Sequence, residues 1–171
     1  MTELLTAPNN ATFAANGIDI HYLDVGAGPT LVLLNNGMIS TNPIWRDWPS
    51  SYERFRATLA QHFRVIEPDF RGSGRSTHTG GPISYDLLAD DIAALADALD
   101  LGRPLMAGYG DGAEVATIVG IRHPSSVAAI VNLMTSDGTQ TIIGAAGGLL
   151  VGFMAPDFYL GNKAGGRGKA I

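Results

Sequence analysis

The chain contains no cysteine among its 171 residues, which excludes disulfide bonds, thiolate metal sites and a cysteine nucleophile within it. Basic residues are also scarce, with 11 lysines and arginines against 16 acidic residues and a net charge of −5. The few that cluster lie near the end of the chain, at Lys163, Arg167 and Lys169. The composition therefore lacks a phosphate-binding footprint, and no nucleic-acid partner is expected.

Long apolar runs and a leader pattern are missing as well. The first ten residues have neither a basic start nor an apolar core, so they do not predict a signal peptide. The low-charge stretch from Thr139 to Ala155 contains four glycines, and its apolar run is shorter than the ~20 residues that span a bilayer. We therefore expect no membrane partner and, by default, a cytoplasmic location.

A hydrophobic content of 46% is enough for one core, and short apolar runs alternate with helical patterns along the chain. Strands are predicted at Thr30–Leu34, Arg64–Ile66, Leu105–Ala107 and Val127–Leu133, after a hairpin of Ala11–Ala15 and Ile18–Val25. Helices are predicted at Tyr52–His62, Ser84–Leu101 and Asp111–Arg122. This alternation predicts an α/β fold with a mostly parallel twisted sheet flanked by helices, whose ligands bind at the carboxyl ends of the strands.

Three segments follow predicted strands at those carboxyl ends. The first is an apolar strand that continues into Asn35, Asn36, Gly37 and Met38. The second reads Asp-Phe-Arg-Gly-Ser-Gly-Arg-Ser over residues 69–76, and the third reads Ala-Gly-Tyr-Gly-Asp-Gly-Ala over residues 107–113. Taken alone, the first also fits a plain turn. The second also fits a phosphate-cradling loop, although it lacks the P-loop lysine and the dinucleotide spacing.

Together the three segments resemble the α/β-hydrolase family. The resemblance implies a His-Gly turn after the first strand, with Asn36 in the His position and Gly37 next. It makes the backbone N–H of Met38 one of two donors to an oxyanion. It also implies that the second segment is structural, with its Asp and Arg tying the loop by hydrogen bonds. The third segment resembles the Gly-x-Ser-x-Gly nucleophile elbow, a sharp turn between a strand and a helix.

Gly110 occupies the nucleophile position of that elbow, with Gly108 and Gly112 at the two small positions. A shifted frame with Asp111 as nucleophile would put the bulky Tyr109 at a small position, which disfavours it. Glycine has no oxygen or sulfur to attack an acyl carbon, so the nucleophile position is vacant in the favoured frame. The resemblance still makes the N–H of Asp111 the second oxyanion donor.

The other members of a catalytic triad are poorly matched. The family order is nucleophile, acid and then histidine, yet no histidine follows the last predicted strand; the four lie at His21, His62, His78 and His123. Asp137 matches an acid position that some members use, although an Asp-Gly turn explains it more simply. No dinucleotide fingerprint or metal-ligand spacing is present, so no cofactor and no metal are expected.

The resemblance covers roughly residues 12 to 135. We expect a partial hydrolase core at residues 1–135, lacking the C-terminal strands of the family, and a lid-like or tail segment at residues 136–171. The strand at residues 126–133 would then be an apolar edge of the kind that soluble proteins cover. Either the segment from Ile142 to Leu160 folds back over this edge, or a second chain or a homo-oligomer covers it.

Three functions remain open at this point. The first is hydrolysis of an ester, lactone or similar small apolar substrate, rebuilt by a partner chain or by activation of water. The second is a non-catalytic pseudo-hydrolase or partner subunit that uses the fold to bind a small apolar ligand. The third is a fragment with no function of its own, which the solvated end from Gly161 to Ile171 would fit.

Overall fold

The computed structural model describes residues 9–36, 50–134, 140–144 and 152–154. The strands within these residues are β1 (Asn9–Ala15), β2 (Ile18–Val25), β3 (Thr30–Leu34), β4 (Arg64–Pro68), β5 (Leu105–Tyr109), β6 (Ala129–Met134), β7 (Gln140–Gly144) and β8 (Gly152–Met154). The helices are α1 (Ser50–Leu59), α2 (Tyr85–Ala98) and α3 (Asp111–Arg122). All eight of these strands form one sheet, in the order β1-β2-β4-β3-β5-β6-β7-β8.

The centre of this sheet is parallel. Strands β4, β3, β5 and β6 pair in parallel because each connection between successive members carries one of the three helices. Their apolar side chains fill the core, with Val65, Ile66 and Met106 fully buried. The outer strands pair antiparallel on both sides of this centre. The predicted α/β class with a mostly parallel central sheet is confirmed.

The strand boundaries differ from the predicted ones at several ends. Strand β3 has the predicted bounds, while β4 and β5 each run two residues further, to Pro68 and Tyr109. Strand β6 begins at Ala129 instead of Val127, because a short 3-10 turn at Pro124–Ser126 separates it from α3. The extended ends of β4 and β5 deliver the chain directly into the second and third segments of interest.

Helix α2 begins at the predicted cap. The Oγ of Ser84 accepts the backbone N–H of Leu87 at 3.2 Å, which satisfies one of the open donors of the first turn. The helix ends at Ala98, three residues before its predicted end, because Asp100 turns the chain with a φ of +50°. Its apolar stripe is buried against the sheet through Leu88, Ile92 and Leu95.

Strand β7 pairs with the edge of β6 for which the sequence predicted no partner strand. The two strands pair antiparallel, with Ala129 opposite Gly144 and Asn132 opposite Thr141, and β8 pairs in turn with β7. The backbone groups of β6 thus find partners within the same chain, which is one of the two solutions expected for this edge. A second chain or a homo-oligomer at residues 126–133 stays a prediction.

A buried ion pair joins the second segment to the rest of the fold. The guanidinium of Arg71 donates to both carboxylate oxygens of Asp91 in α2, at 2.8 and 2.6 Å. Asn16, in the turn between β1 and β2, donates its side-chain amide to the same carboxylate at 2.6 Å and accepts from Arg71 at its carbonyl. Because both charged side chains are at least 94% buried, removing either would leave the other charged in the interior.

Helices α2 and α3 are joined at their solvent side by a cluster around Asp90. His123 contacts this carboxylate at 2.6 Å, and Arg122 contacts both of its oxygens at 3.0 to 3.1 Å. The hydrogen bond with His123, followed by that with Arg122, lowers the pKa of Asp90, although burial opposes the change. The folded chain therefore favours the ionised form of this carboxylate.

Replacing Arg71 tests the buried pair. Arg71→Met keeps most of the side-chain volume but leaves the Asp91 carboxylate buried without its cation, so the free energy of unfolding falls by about 3–5 kcal/mol. Urea denaturation measures the change. The matched control is Arg122→Met at the partly exposed Asp90, where the loss is about 0–1 kcal/mol. Equal losses at the two positions would contradict the assignment.

Acid titration tests the Asp90 cluster. Since the pKa of Asp90 is lower in the folded than in the unfolded chain, its contribution to stability is present above the ordinary value of about 4 and is lost as the pH falls through the folded value. In Asp90→Asn the stability falls less steeply over this acidic range than in the unsubstituted chain. Urea denaturation at pH 7 and at a series of acidic pH values measures both slopes, and parallel slopes would refute the prediction.

Candidate active site

The third segment forms a sharp turn between β5 and α3. Tyr109 ends the strand, Asp111 begins the helix, and Gly110 between them has a φ of +57° and a ψ of −125°. Side-chain-bearing residues adopt this combination only with strain, and glycine adopts it at little cost. The apex of the strand-to-helix turn is therefore Gly110, and Asp111 lies beyond the apex.

The two glycines that flank the apex permit no side chain. A Cβ on Gly108 would lie 2.5 Å from the carbonyl oxygen of Gly112, and a Cβ on Gly112 would collide with the carbonyl of Leu34 at the end of β3. The turn thus brings the N-terminus of α3 into backbone contact with two strands. These are the steric demands expected of the two small positions of an elbow.

The side chain of Asn36 lies directly over the apex. A Cβ on residue 110 would be 3.0 Å from Nδ2 of Asn36 and 3.2 Å from its Cγ, both closer than ordinary van der Waals contact. Asn36 is half-buried and follows β3 by two residues. The first and third segments therefore meet at the carboxyl ends of adjacent strands, as predicted.

A buried carboxylate contacts Asn35, the residue before Asn36. Glu67, 1% exposed on β4, accepts from Nδ2 of Asn35 at 2.6 Å and from Nη1 of Arg56 in α1 at 3.0 Å. Burying a charge is costly unless it is paired and hydrogen-bonded, and both conditions hold here. Glu67 was not among the predicted site residues, although an acidic residue inside the apolar run of β4 was a visible signal.

Polar groups also line the α2 side of the turn. The hydroxyl of Tyr85 donates to Oδ1 of Asp111 at 2.7 Å. This hydrogen bond raises the pKa of Tyr85, and burial together with the charges of Asp111 and Glu114 raises it further, so the hydroxyl stays protonated at neutral pH. Both carboxylates lie in the first turn of α3, where they offset the positive potential of the helix N-terminus.

The second segment is tied by its own side chains, as the family resemblance implies. The Asp69 carboxylate contacts Nδ1 of His21 at 3.0 Å and accepts the backbone N–H of Arg75 at 3.1 Å. The hydroxyl of Ser76 donates to the carbonyl of Asp69 and accepts the backbone N–H of His21. The imidazole Nε2 faces Arg75 at 3.3 Å, and both of these hydrogen bonds of the Ser76 hydroxyl are to backbone groups, so these side chains stabilise the loop.

The remaining candidate residues are placed as follows. Gly37, Met38 and Asp137 lie outside the described residues, as does the domain boundary expected at residue 135. His78 contacts the carbonyl of Gly81, and His123 contacts Asp90. The predicted roles of Gly110, Asp111, Gly37, Met38 and Asp137 therefore stay predictions, while the positions of the first two are those given above.

Among the residues that the structure describes, no group of three or more histidine, aspartate or glutamate side chains could hold a metal ion. None of the three helices is long and apolar enough to cross a membrane.

Comparison with known proteins finds similarity over the residues that contain the three segments. A sequence model of the alpha/beta hydrolase fold family matches residues 30–158, which contain all three segments. The chain is 32% identical over 122 residues to an epoxide hydrolase of Caballeronia sordidicola, a match that covers 70% of this chain and 35% of that protein. It is 29% identical over 126 residues to Epoxide hydrolase 2 of Siraitia grosvenorii, covering 72% and 38%.

A solved structure shows the same likeness. The crystal structure of a hydrolase from Pseudomonas aeruginosa PA01 matches with a TM-score of 0.63 and 29% identity over 74% of this chain and 46% of that one. The chain spans less than two fifths of the length of the two curated relatives it matches.

Substitution at the apex tests the geometry of the turn. Gly110→Ala forces a side chain into a strained conformation and against Asn36, so we expect the free energy of unfolding to fall by about 3 kcal/mol. Gly17→Ala is the matched control, because Gly17 also has a positive φ but nothing within 4 Å of a Cβ; its loss is about 1 kcal/mol. Urea denaturation compares the two. Equal losses would show that residue 110 is not at a crowded apex.

Proposed function

Because this chain belongs to the alpha/beta hydrolase fold family, we propose that its elbow binds a small ester, lactone or similar apolar carbonyl compound without forming a covalent bond at residue 110. The site derives in this proposal from one that hydrolysed such compounds. The two relatives named as epoxide hydrolases add epoxides to the classes worth testing. The proposal concerns the site in this chain and leaves the activity of a longer assembly open.

The position of Gly110 carries the proposal. It is the apex residue of the turn, with a φ of +57°, and it has no atom that can attack a carbonyl carbon. Replacement of a nucleophile by glycine at such a position also relieves backbone strain, since glycine accepts this conformation readily. The shape of the elbow is thus compatible with the loss of its nucleophile.

The binding groups are those that survive this loss. The backbone N–H of Asp111, at the start of α3, follows the apex directly and is the donor that the family resemblance assigns to a developing oxyanion. By the same resemblance, Met38 supplies the second donor from the loop after β3. Two such donors polarise a carbonyl by an amount worth a few kcal/mol in a hydrolytic transition state.

Hydrolysis remains the first candidate activity for this site. It then proceeds by direct attack of water or with groups from a partner chain, because the nucleophile position is vacant. Asp137 stays the candidate acid in this version. The second candidate is a pseudo-hydrolase or partner subunit that binds a small apolar ligand without turnover, which the glycine apex favours.

A thiol at the apex tests the binding proposal. The chain has no cysteine, so Gly110→Cys introduces a single alkylation site at the turn. We expect γ-butyrolactone, ethyl butyrate or styrene oxide to slow its alkylation by N-ethylmaleimide several-fold and saturably, since a ligand bound at the elbow shields the thiol from the reagent. Intact-mass spectrometry over time gives the rate.

Ser125→Cys is the matched control, since Ser125 is exposed in the 3-10 turn after the other end of α3. Its alkylation stays independent of the added ligand. Absence of protection at position 110, or equal protection at both positions, would contradict ligand binding at the elbow. Labelling of the unsubstituted chain by a fluorophosphonate at residue 110 or 111 would contradict the absence of a nucleophile there.

A further inference from the structure

One side chain outside the predicted site contacts the apex directly. Nδ2 of Asn36 lies 3.0 Å from the place where a Cβ of residue 110 would begin, closer than the Cγ of the same side chain. A carboxamide nitrogen carries two N–H donors and no acceptor. A hydrogen-bond donor therefore packs directly against the apex at Gly110.

The backbone before Asn36 is held by the buried network of Arg56, Glu67 and Asn35. Asn35 is 3% exposed and donates to Glu67, which is 1% exposed and paired with Arg56. This network connects α1, β4 and the residue after β3. Because its two side-chain contacts are 2.6 and 3.0 Å long and shielded from water, it restricts where the next residue can place its side chain.

We propose that the Asn36 carboxamide is a ligand-binding group that donates a hydrogen bond to the oxygen of the compound bound above Gly110, and that Arg56, Glu67 and Asn35 position it. This inference rests on the proposed function, which it deepens by naming a donor from a side chain in addition to the backbone.

The charged side chains in the first turn of α3 determine which kind of ligand oxygen can bind near the apex. Asp111 and Glu114 place two carboxylates in the first turn of α3, and the Asn36 donor is neutral. A carboxylate ligand would meet repulsion from these side chains, whereas a neutral carbonyl or epoxide oxygen accepts the same hydrogen bond without it. The ligand class is therefore a neutral oxygen acceptor, with γ-butyrolactone as a suitable probe and butyrate as its charged counterpart.

The pKa of the thiol introduced by Gly110→Cys also reports whether Asn36 places an N–H donor next to residue 110. A nearby N–H donor stabilises the thiolate and lowers the pKa of the thiol, and only the thiolate is alkylated rapidly. Asn36→Leu removes the donor and keeps the size of the side chain. In the Gly110→Cys background we expect this change to raise the thiol pKa by about one unit, which slows iodoacetamide alkylation at neutral pH about tenfold.

The sign of the change in thiol pKa shows whether the Asn36 group next to residue 110 is a hydrogen-bond donor or an acceptor. A pKa that stays constant, or that falls when Asn36 becomes Leu, would overturn the proposal, because an amide oxygen above the apex has the opposite effect. Ser125→Cys with Asn36→Leu is the control, and its profile stays unchanged. Asn35→Ala, which removes the hydrogen bond to Glu67 without changing a charge, raises the pKa of the thiol at position 110 in the same direction by a smaller amount; no rise would overturn the positioning role.

Nuclear magnetic resonance of the unsubstituted chain gives a second readout if Gly110→Cys fails to fold. The side-chain amide signals of Asn36 shift saturably with γ-butyrolactone and much less with butyrate, while those of Asn16, bonded to Asp91, do not shift. If the backbone signals of Gly110 and Asp111 shift but those of the Asn36 side chain do not, the donor is refuted and the proposed function stands. If none of them shifts, both fail.

Discussion

The close backbone contact between the N-terminus of α3 and the ends of β3 and β5 is the constraint on which the site depends. A side chain on Gly112 would collide with the carbonyl of Leu34, and one on Gly108 would collide with the first turn of α3. With both positions restricted to glycine, the chain turns within a single residue, and that residue must adopt a positive φ. The apex position follows from packing, and it is independent of whether residue 110 carries a nucleophile.

The interactions that stabilise this fold are different from those that a reaction at residue 110 would use. The core is stabilised by burial of the parallel strands and the apolar stripe of α2, and the second segment is anchored by the Arg71–Asp91 pair. None of these interactions involves residue 110. In the proposed function, loss of a nucleophile therefore removes one reactive group and leaves the architecture, including the backbone N–H groups at the start of α3, in place. Membership in a hydrolase family then establishes the scaffold, and the activity depends on the groups around the apex.

The sequence predicted the elements whose signals are local. The stripe and cap of α2, the apolar central strands and the spacing of the three glycines around the elbow each depend on residues close together in the chain. Other features depend on distant residues and were not predicted. Glu67, Asn35 and Arg56 come from three elements, and only the folded sheet brings them together. The antiparallel pairing of β7 was one of two alternatives, because pairing of an edge strand depends on which segment reaches it.

A crystal structure of the chain with γ-butyrolactone bound would show directly whether the elbow binds a carbonyl compound without a covalent bond. We predict Gly110 at the apex, the lactone carbonyl oxygen within hydrogen-bond distance of the Asp111 backbone N–H and of Nδ2 of Asn36, and no covalent bond between lactone and protein. An acyl group attached to the chain, or a turn whose apex is a residue other than Gly110, would contradict it.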